Sequence, residues 1–75
     1  MSIPGPRDTL LHSKFDDSTR RTLVSVFDRV WPRCGDRSEI NGYRIAGSIL
    51  ELANSGVRSQ EDIERRVSDV VRRSA

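Results

Sequence analysis

The sequence predicts an all-α fold, a small three-helix bundle with a flexible N-terminal arm. Apolar residues recur at helical spacing in three segments, glycine or proline separates those segments, and no strand-like alternation extends beyond a few residues. The 75 residues leave room for one small domain with a modest apolar core. We expect an arm over residues 1–14, a single domain over 15–75, and helices at about 16–31, 37–55 and 60–73.

The arm is predicted because residues 1–14 contain two prolines and a glycine, and because their apolar residues do not recur at helical spacing. Pro4, Gly5 and Pro6 follow one another, and only Leu10 and Leu11 are expected to dock locally.

The first predicted helix begins at Asp16 or Asp17, either of which can cap its free amides. Pro32 ends it, because the residue before a proline is pushed away from helical geometry. Its apolar positions are Leu23, Val24, Val26, Phe27, Val30 and Trp31.

The second predicted helix begins near Asp36 or Ser38, and Asp36 with Glu39 resembles a capping box. Its apolar arc covers roughly two thirds of the circumference, which is wider than a surface helix needs. One side holds Ile40, Tyr43, Ala46, Gly47, Leu50 and Ala53, and the adjoining side holds Ile45, Ile49 and Leu52.

Two interpretations of the second side remain open. Ile45, Ile49 and Leu52 can receive the third helix, which we favour, or can form a self-complementary patch for a symmetric dimer. Gly42 and Gly47 are predicted to permit close helix approach, because a glycine inside a helix otherwise costs about 1 kcal/mol relative to alanine.

Gly56 is predicted to close the second helix in a left-handed conformation, with Val57 folding back onto Leu52. Ser59 then caps the third helix. That helix has a narrow apolar stripe and acid-first charge pairs such as Asp62 with Arg66. The stripe consists of Ile63, Val67, Val70 and Val71.

The sequence gives little support for a catalytic site or a metal site. His12 and Cys34 are the only residues of their types, so we expect no catalytic pair, metal site or cofactor, and no intrachain disulfide. A lone cysteine suits a reducing compartment, and neither a signal peptide nor an apolar run long enough to span a bilayer is recognisable. We therefore expect a cytoplasmic protein without a membrane partner.

Nucleic-acid binding is the competing hypothesis, because the second and third helices and their glycine turn resemble a helix-turn-helix. The first turn of the third helix carries Glu61, Asp62 and Glu64, which DNA phosphates would repel, and the net charge is only +2. We therefore do not favour a nucleic-acid partner. The candidate contacts in that case are Arg20, Arg21, Arg65, Arg66, Arg72 and Arg73.

One third of the chain resembles the second half of short, uncharacterised helical proteins of bacteria. The likeness rests on Arg44-Ile45-Ala46, Ile49-Leu50, Leu52-Ala53, Gly56, Ser59 and Ile63. The resemblance implies a bacterial origin and a helical fold, and it assigns no activity and no site residue.

The sequence thus favours a small non-enzymatic interaction module that packs an apolar helix face against a copy of itself, as a possible homodimer, or against another protein. The candidate interaction face is Ile45, Ile49 and Leu52. A weak nucleic-acid-binding regulator is the alternative.

Overall fold

The structure is a computed structural model that describes residues 5–35 and 37–73. These residues form four α-helices, namely α1 (Pro6–Leu11), α2 (Asp17–Val30), α3 (Glu39–Asn54) and α4 (Gln60–Arg73). A short 3₁₀ helix, Trp31–Arg33, follows α2. The described ranges contain no strand, so the predicted all-α class is confirmed.

Helix α1 corrects the prediction of an arm without regular structure over residues 1–14. Pro6–Leu11 is helical, with the proline in the first turn, where its missing N–H costs nothing. Leu10 is completely buried, and α1 packs against both α2 and α3. The prediction missed this helix because tertiary contacts, rather than an apolar period, hold its six residues in place. Residues 1–4 of the predicted arm lie outside the described residues.

A bidentate ion pair joins α1 to α2 at the surface. Arg7 donates from Nε and Nη2 to the two carboxylate oxygens of Asp28, at 2.9 and 3.1 Å. Hydrogen bonding to Asp28 and the charge of that carboxylate raise the pKa of Arg7 above its ordinary value. Both side chains are about half exposed, so the pair orients α1 more than it stabilises it.

Helix α2 begins as the sequence predicts, because the Asp16 side chain accepts a hydrogen bond from the Thr19 amide at 3.1 Å. It ends at Val30, one residue before the predicted end, and Trp31 enters the 3₁₀ helix with Pro32. The Phe27 and Trp31 rings stack with their centroids 5.5 Å apart. The aromatic pair therefore continues the apolar face of α2 past its last helical residue.

Ser38 caps α3 by accepting a hydrogen bond from the Asn41 amide at 3.3 Å. The alternative cap, Asp36, lies outside the described residues. Gly42 has the predicted packing role, because a Cβ atom there would lie 2.6 Å from Pro6 Cγ. Helix α1 therefore reaches α3 at a position where only glycine leaves enough room.

The turn between α3 and α4 has the predicted Schellman geometry. Gly56 has a φ of 103°, and its amide donates to the Ala53 carbonyl at 3.1 Å. The Val57 amide donates to the Leu52 carbonyl, also at 3.1 Å. Ser59 then accepts from the Asp62 amide at 3.4 Å, so α4 starts where the sequence predicts.

The core lies where all four helices meet. Helix α4 packs against α2 and α3, and Arg29 and Arg33 both pair with Glu64 of α4 at the surface, at 3.3 and 3.6 Å. The side chains with no exposed surface at all are Leu10, Leu23, Val26, Ile49, Ala53, Ile63 and Val67.

Candidate interaction surface

The structure places the predicted interaction face mostly inside the core. Ile45 is 3% exposed and Ile49 is 0% exposed, so neither is available to a partner in this fold. Ile45 lies beside Val67 of α4, and only Leu52 remains half-buried at the edge of the core. Burial within the chain, the interpretation that the sequence favours, is therefore confirmed for Ile45 and Ile49, and the alternative of an exposed patch of Ile45, Ile49 and Leu52 is wrong. Helix α4 lies along their side of α3, which a helical pattern alone does not show.

A shallow groove begins where α4 stops covering α3. It has a volume of about 300 Å³ and an apolar floor of Leu52 and Val70. Val70 was predicted in the buried stripe of α4, yet it is 43% exposed because it lies at the edge of that stripe. We call this site the α3–α4 groove. Its lining residues are Ser48, Glu51, Leu52, Ser55, Arg66 and Val70.

The α3–α4 groove has opposite charges on its two walls. Glu51 belongs to the α3 wall and Arg66 to the α4 wall. Within residues 5–35 and 37–73, neither side chain forms an ion pair. The predicted pair of Asp62 with Arg66 is replaced by Asp62 with Arg65, at 3.4 Å. Two opposite charges therefore line one groove without neutralising each other.

Beside this groove, α3 has an exposed face that sequence reasoning assigned to the interior. Gly47 is exposed, and no atom lies within 4 Å of where its Cβ would be, so its predicted packing role within the chain is wrong. Ile40, predicted on the same buried side, is 77% exposed. Helix α1 covers Gly42 and α4 covers the side of Ile45, which leaves this third face open.

The candidate nucleic-acid contacts do not converge on one surface. Arg20 and Arg21 line a cavity between α1 and α2, Arg66 lines the α3–α4 groove, and Arg72 lies beside Val30. Two of the candidates are already paired, Arg20 with Asp17 at 2.6 Å and Arg65 with Asp62. The Arg73 side chain lies outside the described part of the chain. A continuous phosphate-binding strip is not assembled from the described candidates.

The two residues considered for catalysis lie in different settings. His12 is exposed at the end of α1, whereas Cys34 is 5% exposed and its thiol donates to the Val30 carbonyl at 3.5 Å. The described residues bring no three His, Cys, Asp or Glu side chains into a group suited to a metal ion. None of the described helices combines the length and apolar character required to cross a bilayer.

Comparisons with protein-family models, curated proteins and solved structures give no match to this chain. The α3–α4 groove and the exposed face of α3 beside it are therefore interpreted from their own geometry.

Proposed function

We propose that this chain is a small non-enzymatic interaction module that binds a helix of a protein partner in the α3–α4 groove. The observation that supports the proposal best is Gly47, which is exposed in the middle of α3 and has open space above it. A glycine in a helix costs about 1 kcal/mol relative to alanine, and no contact within the described chain offsets that cost here. A partner backbone that approaches α3 closely would explain the glycine, because a side chain at position 47 would block that approach.

The composition of the groove suits a helix of modest apolar character. Leu52 and Val70 form an apolar floor between walls that carry Glu51 and Arg66. Protein interfaces combine such an apolar centre with a polar rim. Two adjacent helices also present the ridges and grooves into which a third helix packs.

The surroundings of the only histidine and the only cysteine in the sequence support the non-enzymatic part of the proposal. The Cys34 thiol is buried against its own helix end, whereas His12 is exposed at the end of α1, so the two side chains lie in different settings. A cytoplasmic setting belongs to the same proposal, since a free buried thiol suits a reducing compartment.

Site-specific photo-crosslinking in the organism that carries the gene tests this function. The photoreactive residue p-benzoylphenylalanine is placed at Ser55, an exposed residue that lines the groove, so that Gly47 is left unchanged. A control carries it at Arg21, in the cavity between α1 and α2. We expect discrete protein adducts from position 55, identified by mass spectrometry as this chain or another protein. These adducts should disappear when Val70→Glu is added. Equal adducts from both positions, or none from position 55, would overturn the proposal.

A further inference from the structure

Resting on this proposed function, we infer that the occupant of the α3–α4 groove is a second copy of this chain, bound about a two-fold axis through the groove. Glu51 of each copy then pairs with Arg66 of the other.

The charge arrangement of the groove supports a symmetric partner. A two-fold axis that lies in the plane of the interface and runs along the groove exchanges its two walls, so the α3 wall of one copy faces the α4 wall of the other. Glu51 and Arg66 lie on those two walls, and neither forms an ion pair within the described chain. One rotation therefore creates two reciprocal ion pairs and leaves no like charges opposed at these positions.

The same axis determines which helices meet. Because it runs along the groove in the plane of the interface, it brings α3 of each copy against α4 of the other. The apolar floors of Leu52 and Val70 are then covered on both copies at once, and Gly47 keeps the space beside them open. Because the groove holds only about 300 Å³, we expect a weak dimer whose affinity depends on salt.

Charge reversal provides the test. The dissociation constant of the dimer is measured for the full chain by sedimentation equilibrium at ~10 µM to ~1 mM, a concentration range that suits the weak binding of a small interface. Glu51→Arg and Arg66→Glu should each raise the dimer dissociation constant about tenfold or more, because each opposes like charges twice per dimer. The two single variants mixed in equal amounts should associate, since their charges are complementary. The double variant should likewise regain the wild-type constant within about threefold.

Arg65→Glu is the matched control, because Arg65 is adjacent to Arg66, carries the same charge and lies outside the groove. It should leave the dissociation constant of the dimer within about threefold of the wild type and should not associate preferentially with Glu51→Arg. Circular dichroism checks that every variant retains the helical content of the wild type.

The possible outcomes separate this inference from the broader function. A dimer that tolerates both reversals, or a mixture of the single variants that stays monomeric, overturns the reciprocal pairing. A wild-type chain that is monomeric throughout the range overturns the second copy as occupant. In either case, adducts between position 55 and a different protein would leave the interaction function standing.

Discussion

Pro6 lies directly over Gly42, and this contact joins the N-terminal helix to the middle of the bundle. A Cβ atom at position 42 would be 2.6 Å from Pro6 Cγ and 3.4 Å from the Trp31 ring. The proline ring is rigid and sits in the first turn of α1, so α1 as a whole must move if position 42 gains a side chain. Gly42 therefore determines how closely α1 and α3 approach.

Gly42→Ala and Gly47→Ala should change stability in opposite directions. At position 42 the added methyl group overpacks the contact with Pro6, and we expect a loss of about 1–3 kcal/mol in the free energy of unfolding. At position 47 the space is open, and we expect a gain of about 0.5–1 kcal/mol from better helix propensity. Urea unfolding followed by circular dichroism measures both. Effects of the same sign would contradict the assigned environments.

Leu10→Ala tests whether α1 belongs to the core. Leu10 is 0% exposed, so its truncation should cost about 2–5 kcal/mol in the free energy of unfolding. The adjacent Leu11 is 40% exposed, and Leu11→Ala should cost less than about 1 kcal/mol. A small cost at both positions in urea unfolding would mean that residues 5–14 behave as the flexible arm that the sequence predicted.

Gly56→Ala should destabilise the α3–α4 turn. The φ of 103° at Gly56 is strained for any residue with a Cβ, and we expect a cost of about 1–2 kcal/mol in the free energy of unfolding. Gly35→Ala is the control, because position 35 has ordinary φ and no atom within 4 Å of the added Cβ. Thermal unfolding of both variants should show a lower midpoint for Gly56→Ala alone. Equal midpoints would argue against the left-handed turn.

The cap of α2 should make stability depend on pH in acid. Hydrogen bonding with Thr19, through its side chain and its amide, lowers the pKa of Asp16 below the ordinary 3.8. A lowered folded-state pKa means that the ionised cap stabilises the fold above the unfolded-state pKa. This contribution is lost as the pH falls through the folded-state pKa.

Asp16→Asn isolates this effect, because asparagine can also cap but does not titrate. We expect the thermal midpoint of the wild type to fall more steeply than that of the variant between about pH 5 and pH 2. The other carboxylates are common to both proteins and cancel in the comparison. Parallel pH profiles would show that Asp16 does not bind protons differently in the folded and unfolded states.

Local signals in the sequence predicted three of the four helices to within two residues at each end. The residues that cap or end these helices act on backbone groups a few positions away, so short-range chemistry suffices to locate them. They are Asp16, Ser38, Gly56 and Ser59. Helix α1 escaped prediction because Leu10 and Pro6 are held by residues far along the chain.

The candidate site was predicted less well, since a helical pattern shows which residues are apolar but not which neighbour covers them. The favoured burial of Ile45 and Ile49 within the chain is confirmed, and Ile45 lies beside Val67 of α4. Gly47, Ile40 and Val70 were assigned to buried sides and are exposed. Arg44 lies three positions before Gly47 and Glu51 four positions after it, and these two charged residues were a sign in the sequence that this side of α3 is open.

The sequence by itself determined the all-α class, the caps of α2, α3 and α4, the ends of α2 and α3, and the left-handed turn at Gly56, because each depends on interactions within a few residues. Only the tertiary structure decided that α1 closes over Gly42, that Ile45 and Ile49 are buried within the chain rather than left as a dimer patch, and that a groove with Glu51 and Arg66 on opposite walls remains. Those outcomes depend on which helix faces meet, and the packing of distant segments sets that choice.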